Sequence, residues 1–210
     1  MKDLVIIGAG DFGREVAAVV GRINHVFPTW NLLGFLDDNK EANSQIDEYV
    51  VLGNLDWLDA HKEVYTICSI GTGRTRKKII EKTAKKTSNF ATLIDPDAVV
   101  IKDSSVGEGS VVCAGSVLAI NSKIGNHVIV NLSCTIGHDD IVDDFCTINP
   151  GVNISGKVHL SECVDVGTGT KIIQGKRICE DVVLGAGSVV VKDIDKPGTY
   201  VGVPVRRLEK

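Results

Sequence analysis

Aliphatic side chains recur every six residues over the second half of the chain. From Ile94 to Val190, all seventeen positions at this spacing are isoleucine, valine or leucine. Two residues before most of them stands a small side chain, with Asp140 and Lys176 as exceptions. A period of six fits neither an α-helix nor a simple alternating strand. It predicts a solenoid in which each hexapeptide supplies one short strand and a turn.

Three hexapeptides close one triangular coil, so residues 18 apart should lie one above another. The repeated aliphatic residue fills the interior, and the small residue before it fits the crowded corner. Stacked coils then pair as parallel strands about 4.8 Å apart. We expect an all-β parallel β-helix of a little over five coils at 91–192, called the prism below. The tail over 193–210 leaves the six-residue register and is predicted to cap the last coil.

The first ninety residues follow a different pattern, in which apolar strands alternate with helical stretches. This alternation predicts a small Rossmann-like α/β domain with a parallel sheet over 1–90. The basic helix at its end is expected to present a solvated face, with a contact to phosphate as the alternative. The expected strands are 4–7, 32–36, 50–52 and 64–70, and the expected helices are 14–23 and 74–86.

Composition narrows the class of protein. The formal net charge of −4 argues against a general affinity for nucleic acid or acidic membranes. No apolar run approaches the roughly 20 residues that span a bilayer, and the first residues do not resemble a signal peptide. We therefore expect a cytoplasmic protein without membrane insertion. The six cysteines form no Cys-x-x-Cys pair, so free thiols are expected rather than disulfides or a zinc site.

A glycine-rich turn follows the first expected strand. Gly8, Gly10 and Gly13 form a G-x-G-x-x-G between strand and helix, where phosphate can approach backbone N–H groups. Asp37 and Asp38 end the second strand, where an acid can bind ribose hydroxyls. The domain is too short for two mononucleotide halves, which favours a nucleotide-linked substrate over a redox dinucleotide. The alternative is a turn that serves only strand–helix packing.

Among the five histidines, His138 has the setting most suited to catalysis. It lies in an expected turn of the prism just after the inward-facing Ile136, and Asp139 follows it. An ordinary imidazole titrates at about pH 6.5 and can accept a proton at neutral pH. A lone histidine in a turn is more often a surface residue, and we expect His127 and His159 to be solvent-exposed for that reason.

Segments of both domains resemble one family. They are the glycine loop over 8–15, Gly-Phe-Leu-Asp-Asp at 34–38, Ile-Gly-His-Asp at 136–139, the run 147–156, Gly-Thr-Gly at 167–169 and Gly-Val-Pro at 202–204. The chain is similar to the hexapeptide-repeat sugar acetyltransferases, which include sialic acid O-acetyltransferases and bacillosamine-pathway N-acetyltransferases of nucleotide-linked amino sugars. The resemblance implies a left-handed coil, acetyl-CoA as cosubstrate, no metal, and a homotrimer with active sites between neighbouring prisms.

The resemblance also implies roles for individual residues. His138 matches the general base, Asp139 the acid that orients it, and Gly156 the backbone N–H that binds the acetyl carbonyl. Asn131 matches a position near the acceptor sugar. Coenzyme A is expected to follow the later coils, where Lys176 either contacts a phosphate or points into solvent. The positions on that path are Gly169, Gly175 and Lys176.

Several alternatives stay open from the sequence. One is an O-acetyltransferase of the sialic acid type that acts on a free sugar. Another is a metal enzyme like γ-carbonic anhydrase, which needs three histidines around one zinc, although the spacing of the histidines here is unlike that family's. A third is a prism without catalytic activity. Sugar nucleotidyltransferases share the prism but carry a much larger catalytic domain. Phe12 stands where related nucleotide-sugar N-acetyltransferases often have histidine, which argues against carrying over a UDP-linked amino sugar as the substrate.

Overall fold

The first domain is a parallel sheet flanked by helices, and the computed structural model describes residues 1–209 of the chain. Its elements are β1 (Lys2–Ile7), α1 (Asp11–Val26), β2 (Trp30–Leu36), β3 (Gln45–Ile46), β4 (Tyr49–Gly53), a 3-10 helix (Leu55–Ala60), β5 (Tyr65–Cys68) and α2 (Gly73–Thr83). The strand order is β3–β4–β2–β1–β5. Only β3 runs antiparallel to its neighbour, as one arm of a hairpin with β4.

The helices and strands of this domain differ from the sequence prediction mainly at their ends. Helix α1 begins at Asp11 because extended Gly10 caps it, and α2 ends at Thr83 rather than at residue 86. The hairpin strand β3 and the 3-10 helix were not predicted, since elements this short carry no periodic signal. Asn54 caps the 3-10 helix by accepting the Asp56 N–H at 3.0 Å.

The prism has three faces of short parallel strands. Face one contains β6 (Leu93–Ile94), β9 (Val111–Val112), β12 (Ile129–Val130), β15 (Thr147–Ile148), β18 (Asp165–Val166) and β21 (Val182–Leu184). Face two contains β7 (Val99–Val100), β10 (Val117–Leu118), β13 (Thr135–Ile136), β16 (Asn153–Ile154), β19 (Lys171–Ile172) and β22 (Val189–Val190). Face three contains β8 (Ser105–Val106), β11 (Lys123–Ile124), β14 (Ile141–Val142), β17 (His159–Leu160) and β20 (Arg177–Ile178).

Stacking in the prism follows the predicted register of 18 residues. Leu118 pairs with Ile136, and Ile124 with Val142, each in parallel strands. The repeated aliphatic side chains of the central coils are almost fully buried in one continuous core. A small α/β domain followed by stacked parallel strands confirms the predicted fold class.

The tail extends face one. Strand β23 (Gly198–Val201) adds in parallel to β21, and β24 (Arg206–Arg207) folds back antiparallel to β23. These strands continue the hydrogen-bonded sheet past the last hexapeptide. The end of the prism is thereby paired over the described part of the chain.

A buried arginine joins the two domains. Arg76 lies in α2, is fully buried, and donates across the junction to backbone carbonyls of His127, Phe145 and Cys146 at 2.7–2.9 Å. It also donates to the carbonyl of Ile70 in its own domain at 2.6 Å. Burial lowers the pKa of its guanidinium from the usual value. The expectation that the basic helix is simply solvated is therefore wrong at this position, because one of its cations holds the domains together.

Candidate active site

His138 lies at the corner of the prism where face two ends. It follows strand β13, and the next residue, Asp139, has a φ of 59°. Among residues other than glycine, Asp and Asn adopt this left-handed conformation most readily. Asp139 therefore turns the chain and supplies a carboxylate at the same point. The His138 side chain is 56% exposed, which leaves it open to a ligand.

A chain of hydrogen bonds fixes the His138 ring. Its Nδ1 lies 2.8 Å from Oδ2 of Asp139, and Asn121, one coil earlier, donates from Nδ2 to Oδ1 of that carboxylate at 3.2 Å. These bonds, with that from His138 the larger cause, lower the pKa of Asp139. An ionised carboxylate only accepts, so the ring proton resides on Nδ1 and Nε2 is left as a proton acceptor. Asn121 was not predicted, although its place 18 residues before Asp139 was a usable signal.

Gly156 lies directly against the His138 ring, one coil further along the prism. A Cβ atom on Gly156 would lie 2.5 Å from Nε2 of His138 and 2.7 Å from two ring carbons. Any side chain here would displace the imidazole. The Gly156 N–H makes no hydrogen bond to another residue within 1–209. The predicted base and the predicted N–H donor are thus brought together.

Asp140 is a buried acid beside this pair that sequence reasoning did not select. It is fully buried, and it accepts the N–H groups of Gly137 at 2.6 Å and Val158 at 2.8 Å. Burial raises the pKa of its carboxyl group to about 6. The signal in the sequence was its position, since small residues occupy most equivalent places in the repeat.

Asn131 lies at a different corner of the same coil, where face one ends. It is nearly buried, and its Oδ1 accepts the N–H of Leu132 at 2.7 Å. The structure therefore gives Asn131 a role in shaping its own turn. It does not place Asn131 in hydrogen-bonded contact with His138 or Asp139.

The later glycines continue along the prism from the His138 corner. Gly175 donates its N–H to the carbonyl of Gly156 at 3.0 Å and has a φ of 68°. Lys176, the next residue, is half-buried at the same corner two coils after Asp140. Gly169, with a φ of 70°, turns the chain at the corner between faces one and two and donates to the carbonyl of Pro150. Gly175 and Lys176 thus follow His138 along one edge, whereas Gly169 lies on another.

The glycine loop of the first domain is packed tightly. A Cβ on Gly13 would lie 2.2 Å from the carbonyl oxygen of Gly8, so only glycine lets helix α1 approach the loop. Gly8 itself has a φ of 104°, which also favours glycine. Gly10 caps the helix and has open space around it. Two of the three glycines are therefore explained by packing, and the third borders open space at a helix N-terminus.

Asp37 ties the end of β2 to the glycine loop. Its Oδ2 accepts the Ala9 N–H and its Oδ1 accepts the Asn39 N–H, both at 2.9 Å. Asp38 accepts the N–H of Leu55 at 3.3 Å. A cavity of about 100 Å³ lies beside these acids. It is lined by Ile7, Gly8, Leu36, Asp37, Asp38, Asn39, Leu55, Ile70 and Ile79.

The other prism histidines do not join His138. His127 is buried at the domain junction between the rings of Phe90 and Phe145, at centroid distances of 4.8 and 5.2 Å. The expectation that it is exposed is wrong, because the first domain covers its turn. His159 is half-buried, and its Nε2 lies 2.8 Å from Oδ2 of Asp143. Within residues 1–209, no three His, Cys, Asp or Glu side chains are grouped as a metal site.

Both domains are similar to those of known proteins. The profile of the PglD N-terminal domain matches residues 3–83. The acetyltransferase domain of PglB from Neisseria gonorrhoeae FA1090 superposes over 99% of this chain and 100% of its own, with 30% identity and a TM-score of 0.89. The chain belongs to the bacillosamine- and perosamine-type sugar N-acetyltransferase family. It is therefore an acyltransferase enzyme.

Two further members of this family are similar along most of the chain. PerB from Caulobacter crescentus, solved in complex with CoA and GDP-perosamine, has 27% identity and a TM-score of 0.87, and covers 100% of this chain and 98% of its own. GDP-perosamine N-acetyltransferase from Escherichia coli O157:H7 is 26% identical over 184 residues, which are 87% of this chain and 82% of that protein. The predicted resemblance to sugar acetyltransferases is confirmed.

One negative finding concerns the membrane. In the part of the chain that the structure describes, every helix is too short or too polar to cross a bilayer.

Proposed function

We propose that this enzyme transfers an acetyl group from acetyl-CoA to an amine on a nucleotide-linked amino sugar, with His138 as the general base. The observation that carries the proposal is the His138 ring, held through Nδ1 by Asp139 and lying with Nε2 against Gly156. The PglB domain has also been solved with acetyl coenzyme A, and PerB with CoA and GDP-perosamine. Those ligands support the choice of donor and acceptor.

The chemistry follows from these positions. The amine nitrogen attacks the thioester carbonyl carbon, and the N–H proton that must leave is taken by Nε2 of His138. Asp139 holds the ring in the required tautomer and stabilises its protonated form. When the carbon–sulfur bond breaks, the imidazolium returns the proton to the departing thiolate of CoA. The products are an acetamido sugar and free CoA, and no covalent enzyme intermediate is needed.

We assign the developing oxyanion to the N–H of Gly156. A backbone donor fixed before reaction stabilises charge without having to reorganise. Gly156 suits this role because its N–H is uncommitted within the described chain and its Cα lies beside the base. Along the same edge, Gly175 and Lys176 are proposed to contact the CoA arm, with Gly169 on the neighbouring corner.

We assign the acceptor's nucleotide to the first domain, residues 1–90, and its sugar to the neighbourhood of Asn131. The cavity beside Gly8, Asp37 and Asp38 lies at the carboxyl ends of β1 and β2, where parallel α/β sheets bind ligands. Gly10 and Gly13 shape the loop at the helix N-terminus, which favours phosphate.

We also propose a homotrimer with the active site completed by a neighbouring prism. Apolar side chains that face outward on the prism support this assembly. Val99, Ile120 and Ile141 are 51%, 47% and 39% exposed. Ile120 lies one coil before His138, so a neighbour that covers it would also wall the site.

The acceptor is tested by release of free CoA thiol from acetyl-CoA. The panel contains UDP-, dTDP-, GDP- and CMP-linked amino sugars, their hydroxyl counterparts and the free sugars, with the His138→Ala variant as the background. We expect turnover with at least one nucleotide-linked amino sugar and an N-acetyl product by mass spectrometry. Turnover only with a hydroxyl or a free sugar would replace the proposal with O-acetylation of the sialic acid type. Activity in His138→Ala equal to that of the unaltered enzyme would refute the assignment of His138 as the general base.

A further inference from the structure

Two corners of the prism, at Ser110 and Ser116, share one hydrogen-bonding scheme. A small polar side chain donates to a backbone carbonyl 15 residues later, as Ser110 does to Gly125 and Ser116 to Asn131. Its oxygen also accepts the N–H found 18 residues later, which for Ser110 is that of Val128 at 2.9 Å. A hydroxyl can do both, because it is a donor and an acceptor. Each such corner is thereby stitched to the coil above it.

Asp140 can satisfy only half of this scheme. It accepts the N–H of Val158, 18 residues later, at 2.8 Å. An ionised carboxylate has no proton to donate to the carbonyl of Ser155, 15 residues later. Its second oxygen instead accepts the N–H of Gly137 at 2.6 Å, three residues before it and next to His138.

The ladder between coils is opened at this point. One coil before and one coil after, the equivalent N–H groups of Ala119 and Ser155 donate to the carbonyls of Ile136 and Ile172, each at 3.0 Å. The N–H of Gly137 donates to Asp140 instead, so strands β13 and β16 pair through a single residue, Thr135 with Asn153. The neighbouring strand pairs on this face, such as β10 with β13 and β16 with β19, pair through two.

Gly137, where the ladder is opened, lies next to the residues of the candidate site. A Cβ on Gly137 would lie 2.4 Å from the nitrogen of Gly156, and a Cβ on Gly156 would lie 2.5 Å from Nε2 of His138. Small shifts of Gly137 therefore change the distance between the imidazole and the Gly156 N–H. We propose that Asp140 is a positioning residue, whose carboxylate draws the Gly137 N–H out of the ladder and so sets the His138 ring over Gly156. This inference rests on the proposed function of His138.

The discriminating variant is Asp140→Ser, which gives this corner the hydroxyl found at equivalent corners. We expect the Gly137 N–H to return to the carbonyl of Ile154 and the new hydroxyl to donate to Ser155. The enzyme should fold, because serine already occupies this corner in the two earlier coils, at Ser104 and Ser122. We expect kcat to fall at least about 10-fold through misplacement of the base, with KM for acetyl-CoA changed less than about threefold. Asp140→Asn, which keeps one acceptor oxygen in place, should recover part of the lost kcat.

Ser110→Ala is the matched control, since it removes a corner side chain with two hydrogen bonds far from His138 along the repeat. Its kcat should stay within about twofold of the unaltered enzyme, because the corner does not touch the base. A kcat of Asp140→Ser within about twofold of the unaltered enzyme, with the protein folded, would overturn the positioning role. Should Asp140→Ser not fold, Asp140→Ala, which also lacks the acceptor for the Gly137 N–H, decides by the same threshold.

A second measurement does not depend on activity. In the ¹H–¹⁵N spectrum of the full chain, the Gly137 amide should shift as pH is changed from 4 to 8, because its acceptor titrates. The charged groups acting on Asp140 are His138 and Asp139, so the titration is repeated in His138→Ala to remove the imidazole. A Gly137 amide that does not move in either protein would refute the contact with Asp140. If no acceptor is turned over at all, this titration still tests the hydrogen bond while the proposed function alone fails.

Discussion

His127 and His138 occupy turns of the same coil and have opposite surroundings. His127 is 7% exposed, lies between two phenylalanine rings, and its Nδ1 has no hydrogen-bond partner within the described residues. Burial, reinforced by the nearby Arg76, lowers its pKa to about 4. His138 is half-exposed, and its Nδ1 is held by a carboxylate. Neighbouring residues, rather than the place in the repeat, therefore decide whether an imidazole in this coil is buried and unpaired or exposed and held by a carboxylate.

The largest expected effect separates the two histidines. His138→Ala should lower kcat about 1,000-fold, since positioned general bases contribute factors of this order, and should leave the unfolding transition nearly unchanged. His127→Asn, which tolerates the left-handed φ of 53°, should keep kcat within a few-fold and lower stability. Steady-state kinetics and urea unfolding on both proteins measure the contrast. Equal loss of activity in the two variants would break the comparison.

The next prediction concerns the close packing of Gly156 against the His138 ring. Gly156→Ala places a methyl group 2.5 Å from Nε2 of His138, so the ring must move while the backbone N–H is retained. We expect kcat/KM to fall about 100-fold, the cost of a displacement near 1 Å. Gly21→Ala, in α1 with open space around it, is the control and should raise stability by about 0.5 kcal/mol at unchanged kcat. An undiminished kcat/KM in Gly156→Ala would show that the ring is not confined there.

The next prediction concerns the contribution of Arg76 to the stability of the domain junction around His127. Arg76→Met preserves length but leaves the carbonyls of His127 and Phe145 without donors, which should lower the free energy of unfolding by about 3 kcal/mol. The Cys146 carbonyl also loses Arg76 but keeps the N–H of Ile129 at 3.0 Å. Lys78→Met, on the exposed side of α2, should change it by less than about 0.5 kcal/mol. Urea midpoints and slopes for both variants provide the measurement. Similar losses would mean that Arg76 contributes no more than a surface cation.

The smallest effect is a pH dependence of opposite sign in the two regions. The folded-state pKa of His127 lies below its unfolded value, so its contribution is present above about pH 6.5 and is lost as pH falls toward 4. The folded-state pKa of Asp140 lies above its unfolded value, so its contribution is present below about pH 4 and is lost as pH rises through 6. The two slopes oppose each other between pH 4 and 6.

Removing either group should therefore change the pH dependence of stability in opposite directions. Relative to the unaltered protein, His127→Asn should lose about 2 kcal/mol of unfolding free energy as pH rises from 4 to 6. Relative to the same reference, Asp140→Ser should gain a similar amount over that interval. Denaturant unfolding of all three proteins at several pH values measures both differences, and differences that change in the same direction with pH would contradict the assignment.

The fold of the prism was predictable because the side chains that stabilise its core recur at a fixed spacing of six residues. One aliphatic side chain per hexapeptide fills the prism, so the register from Ile94 to Val190 fixes which residues stack. The placement of Gly156 one coil after His138 followed from that register alone. The base itself was assigned by resemblance, because a turn position does not distinguish a catalyst from a surface histidine.

The surroundings of Arg76, His127 and Asp140 depend on tertiary contacts that the six-residue pattern does not predict. Arg76 and His127 are buried only because the first domain docks against faces of the prism, and docking has no signature in either domain's own pattern. Asp140 was visible as an exception to the small-residue rule. What it accepts, however, follows from hydrogen-bond chemistry at one corner and from the coil above it.

Because each coil takes 18 residues, every added coil lengthens the prism by one step of about 4.8 Å. Adding one whole coil after Gly175 would lengthen the edge proposed to contact the CoA arm and leave the distance from His138 to Gly156 unchanged. The same addition between His138 and Gly156 would separate the proposed proton acceptor from the proposed oxyanion donor by a full step. Under the proposed function, the prism can therefore be lengthened beyond Gly175 without altering the spacing of the two groups proposed for the reaction.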